Sequence, residues 1–141
     1  MSWLKKKSVL IPLDFSELSY QAIAPATEYV DNIGSLKIIH VLTHLHPADP
    51  AALWDTLKDE EREHKVQEFL HNKLCAMGYE GIHIEVTVGD PSTKIVDYAE
   101  KIKADFIVMP SHGRKGVSRF LLGSVAERVV RLSHCPVLIL K

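Results

Sequence analysis

Residues 106–140 read FIVMPSHGRKGVSRFLLGSVAERVVRLSHCPVLIL. Two short apolar runs bound this stretch, Phe106-Ile107-Val108-Met109 and Val137-Leu138-Ile139-Leu140. Both are rich in β-branched residues and nearly continuous in apolar character, which predicts strands covered on both faces. Between them Ser124-Val125-Ala126-Glu127 reads as a capping box, in which the Ser124 hydroxyl and the Glu127 carboxylate satisfy backbone N-H groups at a helix start. Val125, Val129 and Leu132 then share the inward side of that helix, with Arg128 and Arg131 opposite. Strands separated by a helix of this length predict parallel pairing through a right-handed crossover.

The same alternation extends back to the N-terminus. Val9-Leu10-Ile11, Leu36-Lys37-Ile38-Ile39-His40-Val41-Leu42 and Ile82-His83-Ile84-Glu85-Val86 are three further strands, and the alternating third belongs near an edge. Ser16 is placed to cap a helix from Glu17, with Ala22, Ala26, Tyr29 and Val30 inward and Pro25 kinking it. Leu53 to Met77 predicts a second helix that packs through Leu53, Leu57, Val66, Leu70 and Leu74 and stops at Gly78. Its charged run, residues 58–63, reads as a solvated face. Asp90-Pro91 opens a third, with Asp90 at the N-cap, Pro91 at the first helical position and Ile95, Ala99 and Ile102 inward. The order βαβαβαβαβ predicts α/β architecture: one open five-stranded parallel sheet with helices on both faces. Residues 44–50 read as a surface connection, so residues 1–141 are expected to form a single domain.

Composition narrows the function. The 141 residues are 46% hydrophobic and 25% charged, with 17 Lys plus Arg against 18 Asp plus Glu, a formal charge of -1. That balance argues against a nucleic-acid or membrane-surface partner. No apolar run approaches the roughly 20 residues of a membrane span. Met1 to Lys7 lacks the apolar core of a secretory signal, which makes a cytoplasmic protein the expectation. Cys75 and Cys135 lie far apart and outside any CxxC spacing, and are read as buried free thiols.

In an open parallel sheet, ligands bind beyond the carboxyl ends of the strands where strand order reverses. The polar and glycine-rich residues gather at those ends. Residues 111–124 run from the fourth strand to the next helix start, with Gly113, Gly116 and Gly123 allowing close backbone approach. A helix N-terminus attracts anions. Arg114, Lys115 and Arg119 add positive charge, and Ser111, Ser118 and Ser124 add hydroxyls, so phosphate is the natural guest. The same features also describe an ordinary surface loop with a helix cap. Asp14, ending the first strand, is placed to accept hydrogen bonds from ribose hydroxyls, or to make an Asx turn beside Ser16. Together these residues describe a nucleoside phosphate site.

A P-loop is absent, since no G-x-x-x-x-G-K-[ST] occurs. His112 has no visible carboxylate or nucleophile partner and is read as a ligand-contacting or structural group, not a catalytic one. His40, His44 and His46 need further ligands to hold a metal, so a solvated or hydrogen-bonded role is expected for them.

The segment Pro110-Ser111-His112-Gly113, nine residues, then Gly123-Ser124 resembles the universal stress protein family of the adenine-nucleotide-binding type, whose pattern is Gly, two residues, Gly, nine residues, Gly, then Ser or Thr. The resemblance runs from Val9-Leu10-Ile11-Pro12-Leu13-Asp14-Phe15-Ser16 through Ser133-His134-Cys135-Pro136-Val137-Leu138 to Lys141. It implies a Rossmann-like sheet, similar to that of adenine nucleotide alpha hydrolases, with order 3-2-1-4-5. It further implies that Pro12, Asp14 and Val41 surround the adenine and ribose, that Met109 lies near the adenosine, and that Gly113, Gly123, Ser124 and Val125 meet the phosphates. Pro110, Ser111, His112 and Arg114 belong to the same binding segment. The implied ligand is ATP, ADP or AMP, with Mg2+ as companion of the phosphates, bound rather than turned over. A homodimer through the strand Val137 to Leu140 is also implied. Pro110 departs from the pattern, standing where the family has its first glycine; without an N-H and with φ fixed, it is expected to weaken a backbone contact. The rival expectation is a dimeric stress-response interaction module whose nucleotide site has decayed.

Overall fold

A computed structural model describes residues 5–43, 59–111 and 122–141. The elements are β1 (Val9–Pro12), α1 (Glu17–Gln21), α2 (Ile23–Thr27), a single 3-10 turn (Ile33–Ser35), β2 (Leu36–Leu42), α3 (Asp59–Ala76), β3 (His83–Val88), α4 (Pro91–Lys101), β4 (Phe106–Pro110), α5 (Ser124–Leu132) and β5 (Val137–Leu140). The strands form one sheet in the order β3-β2-β1-β4-β5, and every pairing is parallel. Among the described residues no helix is long and apolar enough to cross a membrane.

The two-residue period of β1 separates the core into two layers. Val9, Ile11 and Leu13 pack with Tyr20, Ile23 and Ala26 of the α1–α2 segment and with Leu70 and Leu74 of α3. Leu10 points the other way, into a cluster with Ile39, Ile107 and Met109 of the sheet, Ile95, Val96 and Ala99 of α4, and Ala126 and Val129 of α5. Helices therefore cover both faces, and β1, fully buried, lies at the centre.

Several local expectations are corrected. The first helix is not merely kinked but divided into α1 and α2 at Ala22. Pro25 has no N-H to give the Gln21 carbonyl, and the helical bonds resume with Ala26 N donating to Ala22 O at 3.3 Å. The strand at 137–140 is apolar but only half-buried, because among the described residues it forms the sheet edge opposite β3. Leu132 is 43% exposed at the end of α5, where Ala126 and Val129 supply the buried side instead. Cys75 and Cys135 are free thiols, but both are half-buried rather than buried. The part of the second expected helix before Asp59, including Leu53 and Leu57, lies outside the described residues. Its end agrees with the sequence: Gly78 takes φ +89 and stops α3.

Candidate functional site

The site begins where β1 and β4 stop pairing. Their ladder contains Val9↔Phe106 and Leu10↔Ile107 only. Continuing that register requires an N-H from Pro12 to the Val108 carbonyl and one from Pro110 to the Pro12 carbonyl, and proline has none to give. On their outer sides the same residues remain in the sheet, with Pro12 opposite Ile39 of β2 and Pro110 opposite Leu140 of β5. Leu13 N donates to Ile39 O at 2.8 Å and Ser111 N to Leu140 O at 2.9 Å, so both outer ladders run past the prolines. The paired prolines end the seam between the strands without loosening the flanks. That seam is where strand order reverses, the crevice position in open α/β sheets. Pro110 therefore sacrifices no bond to β5, and its missing donor faces the seam.

The far side of the seam is the start of α5. Gly123 N donates to Ser111 O at 2.6 Å, which ties this helix start to the end of β4. Gly123, not Ser124, is the N-cap, and Ser124 is the first helical residue. The expected capping box is thus not formed: the cap lies one residue earlier, on a residue without a side chain. Glu127 N donates to Gly123 O at 2.8 Å, the first bond of the helix, while Glu127's carboxylate pairs with Arg131 at 3.3 Å. Two other helix starts differ, whereas α2, with Ala22 at its N-cap, likewise has no side-chain cap. Ser16 Oγ accepts from Ser19 N at 3.1 Å at α1, and Asp90 Oδ2 from Thr93 N at 3.0 Å at α4. The amides opening α5 receive no side-chain cap of this kind.

Asp90 also accepts from Thr93 Oγ1 at 2.7 Å and Ser92 Oγ at 2.9 Å, and its Oδ1 lies 3.5 Å from Arg128 Nη1 of α5. The Thr93 hydroxyl and amide, then Ser92, hold its carboxyl below the usual carboxylate range, with a smaller contribution from Arg128.

Asp14 lies half-buried just past β1. Its Oδ1 accepts from Ser16 N at 3.0 Å and from the Ser16 hydroxyl, forming the Asx turn. Phe15, next in the chain, takes the left-handed backbone at φ +67. Its ring lies 4.2 Å from the ring of His40 and 5.7 Å, edge-on, from Phe69 of α3. His40 is buried in β2 with Nδ1 2.6 Å from the Leu13 carbonyl. Burial lowers its pKa, outweighing the Leu13 hydrogen bond and the nearby Asp14 charge. The hydrogen-bonded role expected for His40 is the one found. His44 and His46 lie outside the described residues.

Three of the remaining candidates share the face of the sheet that carries Leu10. Met109 is buried in the cluster around Leu10, and Val41 and Val125 pack against it half-exposed. The structure thus brings Pro12, Val41, Met109, Pro110, Ser111, Gly123, Ser124 and Val125 to one end of the sheet around the β1–β4 seam. His112, Gly113 and Arg114, with Lys115, Ser118 and Arg119, fall outside the described residues. The sequence reading missed Phe15, whose left-handed backbone has no side-chain signal, and Arg62. Arg62 was assigned to a solvated run, but it bonds Thr43 O at 3.0 Å and Asp59 at 3.2 Å, which anchors α3 to the end of β2.

Sheet order, crossovers and seam define a Rossmann-like α/β protein. The sequence model of the universal stress protein family matches residues 6–141, and the chain belongs to that family. It is 38% identical over 143 residues to Universal stress protein MJ0531 of Methanocaldococcus jannaschii, covering 96% of this chain and 82% of that one. Its fold is similar to that of universal stress protein UspA from Lactobacillus plantarum, with TM-score 0.72 at 22% identity, over 97% of this chain and 99% of the other. A universal stress protein crystallised in complex with cAMP superposes with TM-score 0.63 at 26% identity, over 96% of this chain and 97% of the other.

Proposed function

We propose that this chain binds an adenine nucleotide across the β1–β4 seam and acts in the stress response as a nucleotide-dependent regulator. The observation that carries the reading is the start of α5: a nine-residue helix without a side-chain cap, held by Gly123 against the end of β4, beside strands whose pairing two prolines have stopped. Uncapped amides and the helix dipole favour a phosphate there. The cAMP-bound relative supports an adenine ligand.

In this reading Pro12, Val41 and Met109 border the adenine, and Asp14 accepts from the ribose hydroxyls. Ser111, Gly123, Ser124 and Val125 meet the phosphates together with His112, Gly113 and Arg114, and Mg2+ accompanies them. Pro110 keeps the seam open in place of a glycine, so it does not abolish the site. The half-buried edge strand β5 supports a homodimer through Val137–Leu140. That same edge favours the second reading, a dimeric interaction module with a weakened nucleotide site.

Thermal unfolding with and without ATP tests the proposal. ATP at millimolar concentration raises Tm, and Asp14→Ala reduces the rise. An unmoved melting curve for the wild-type protein leaves the interaction-module reading in its place.

A further inference from the structure

The turn that carries Asp14 combines two features that rarely persist without support. Phe15 is a bulky residue at φ +67, a conformation that costs on the order of 1 kcal/mol and survives only where its surroundings over-determine it. Directly beneath, His40 is a polar side chain buried in the middle of the sheet, 7% exposed. Its Nδ1 lies 2.6 Å from the Leu13 carbonyl, which can only accept, so the ring is the Nδ1-H tautomer. The ring face meets Phe15 at 4.2 Å with a 43° tilt. One side chain thus holds the residue before Asp14 through its carbonyl and the residue after it through its ring. An apolar residue at position 40 still packs on Phe15 but loses the hold on the Leu13 carbonyl.

From this geometry we infer that His40 is the positioning residue of the β1–α1 turn: it keeps Phe15 left-handed and thereby aims the Asp14 carboxylate. The consequence for ligand rests on the nucleotide reading above. There, His40 touches no part of the ligand and sets the ribose preference of the site through Asp14.

Two variants separate this role from ordinary core packing. His40→Asn retains a donor at the place of Nδ1, because the Asn amide nitrogen overlays it; His40→Leu removes the donor at similar bulk. Affinity for ATP and for 2′,3′-dideoxy-ATP is measured on both and on the wild type by calorimetry. A charge-assisted hydrogen bond between Asp14 and the ribose makes the wild type favour ATP by about tenfold or more. In His40→Leu the ratio falls toward one, and in His40→Asn most of it is retained. Equal weakening of both ligands by His40→Leu, with the ratio intact, overturns the inference, since loss of packing alone has that result.

The backbone chemical shifts of Phe15 in the ligand-free proteins give a second readout that needs no nucleotide. They leave left-handed values in His40→Leu and keep them in His40→Asn; left-handed values in both variants also overturn the inference. A wild type that binds neither ligand refutes the nucleotide reading, and the Phe15 shifts still decide the role of His40.

Discussion

Gly123 donates its amide to the carbonyl of Ser111 at 2.6 Å, so the end of β4 and the N-cap of α5 are neighbours although eleven residues intervene in the chain. The bond puts the helix start beside the seam that Pro12 and Pro110 leave open. Gly123 itself has φ -61 and ψ 154, an extended backbone that any residue adopts, so its lack of a side chain is not required by the fold. The glycine instead leaves the first amides of α5 without a cap.

Replacing it should therefore separate stability from binding. Gly123→Asp supplies a capping carboxylate, which is expected to hold or raise the stability of the ligand-free protein by a few tenths of a kcal/mol. The same carboxylate occupies the amides and repels phosphate, so ATP affinity should fall at least about tenfold. Chemical denaturation and calorimetry on one preparation check both. Undiminished ATP affinity in this variant removes α5 from the site.

Asp90 caps α4 and reaches Arg128 of α5. Asp90→Ala should cost about 1 kcal/mol in urea unfolding at neutral pH. Its carboxyl titrates below the usual carboxylate range, so its contribution is present above the unfolded value near 4 and is lost as pH falls through the lower folded value. The gap between wild type and Asp90→Ala should consequently narrow as pH falls below the ordinary carboxylate range. A gap that stays constant to acid shows that the cap does not act through its charge.

His40 acts in the same direction, at higher pH. Burial lowers its pKa, so on acidification the unfolded chain takes up the proton first. Stability should decline as pH falls below about 6.5 and level off once the folded protein is protonated too. His40→Asn, which does not titrate, should remove this part of the decline. Unfolding curves between neutral pH and pH 5 are sufficient; an unchanged slope in the variant assigns the decline to other groups.

At the opposite edge from β3, the bonds from β4 reach Pro136 O from Ile107 N at 3.0 Å and Leu140 O from Ser111 N at 2.9 Å. With the register Met109↔Ile139, this directs the Ile139 N-H away from β4. Ile139→Pro therefore leaves the ladder to β4 intact, as edge prolines do, and removes an outward donor. If β5 forms the dimer, sedimentation should show a folded monomer for Ile139→Pro at concentrations where the wild type is dimeric. A variant that remains dimeric places the interface elsewhere.

The strands and their parallel pairing were legible because five short β-branched runs alternate with helical spacing, whereas their order followed from the family resemblance and not from the pattern. Pro25 announced the break between α1 and α2, and Asp90-Pro91 announced the start of α4, since each acts through its own backbone. Ser124 misled because a shift of one residue converts an N-cap into a first helical residue, and a motif with the right letters does not fix that shift. The half-exposure of β5 was hidden because an apolar run reads the same at an edge as at the centre. That the missing N-H of Pro110 faces the seam with β1 follows only from the register of the strands. Phe15 had no signal at all, since its left-handed backbone follows from the turn and from His40 beneath it.

The central claim is occupancy of the β1–β4 seam by an adenine nucleotide. It is tested most directly by gentle purification without added nucleotide, followed by mass analysis of the small molecules released on denaturation. The account predicts an adenine nucleotide in near-stoichiometric amount from the wild type and much less from Asp14→Ala. Folded wild-type protein that releases no adenine nucleotide, and takes none up on dialysis against millimolar ATP, contradicts it.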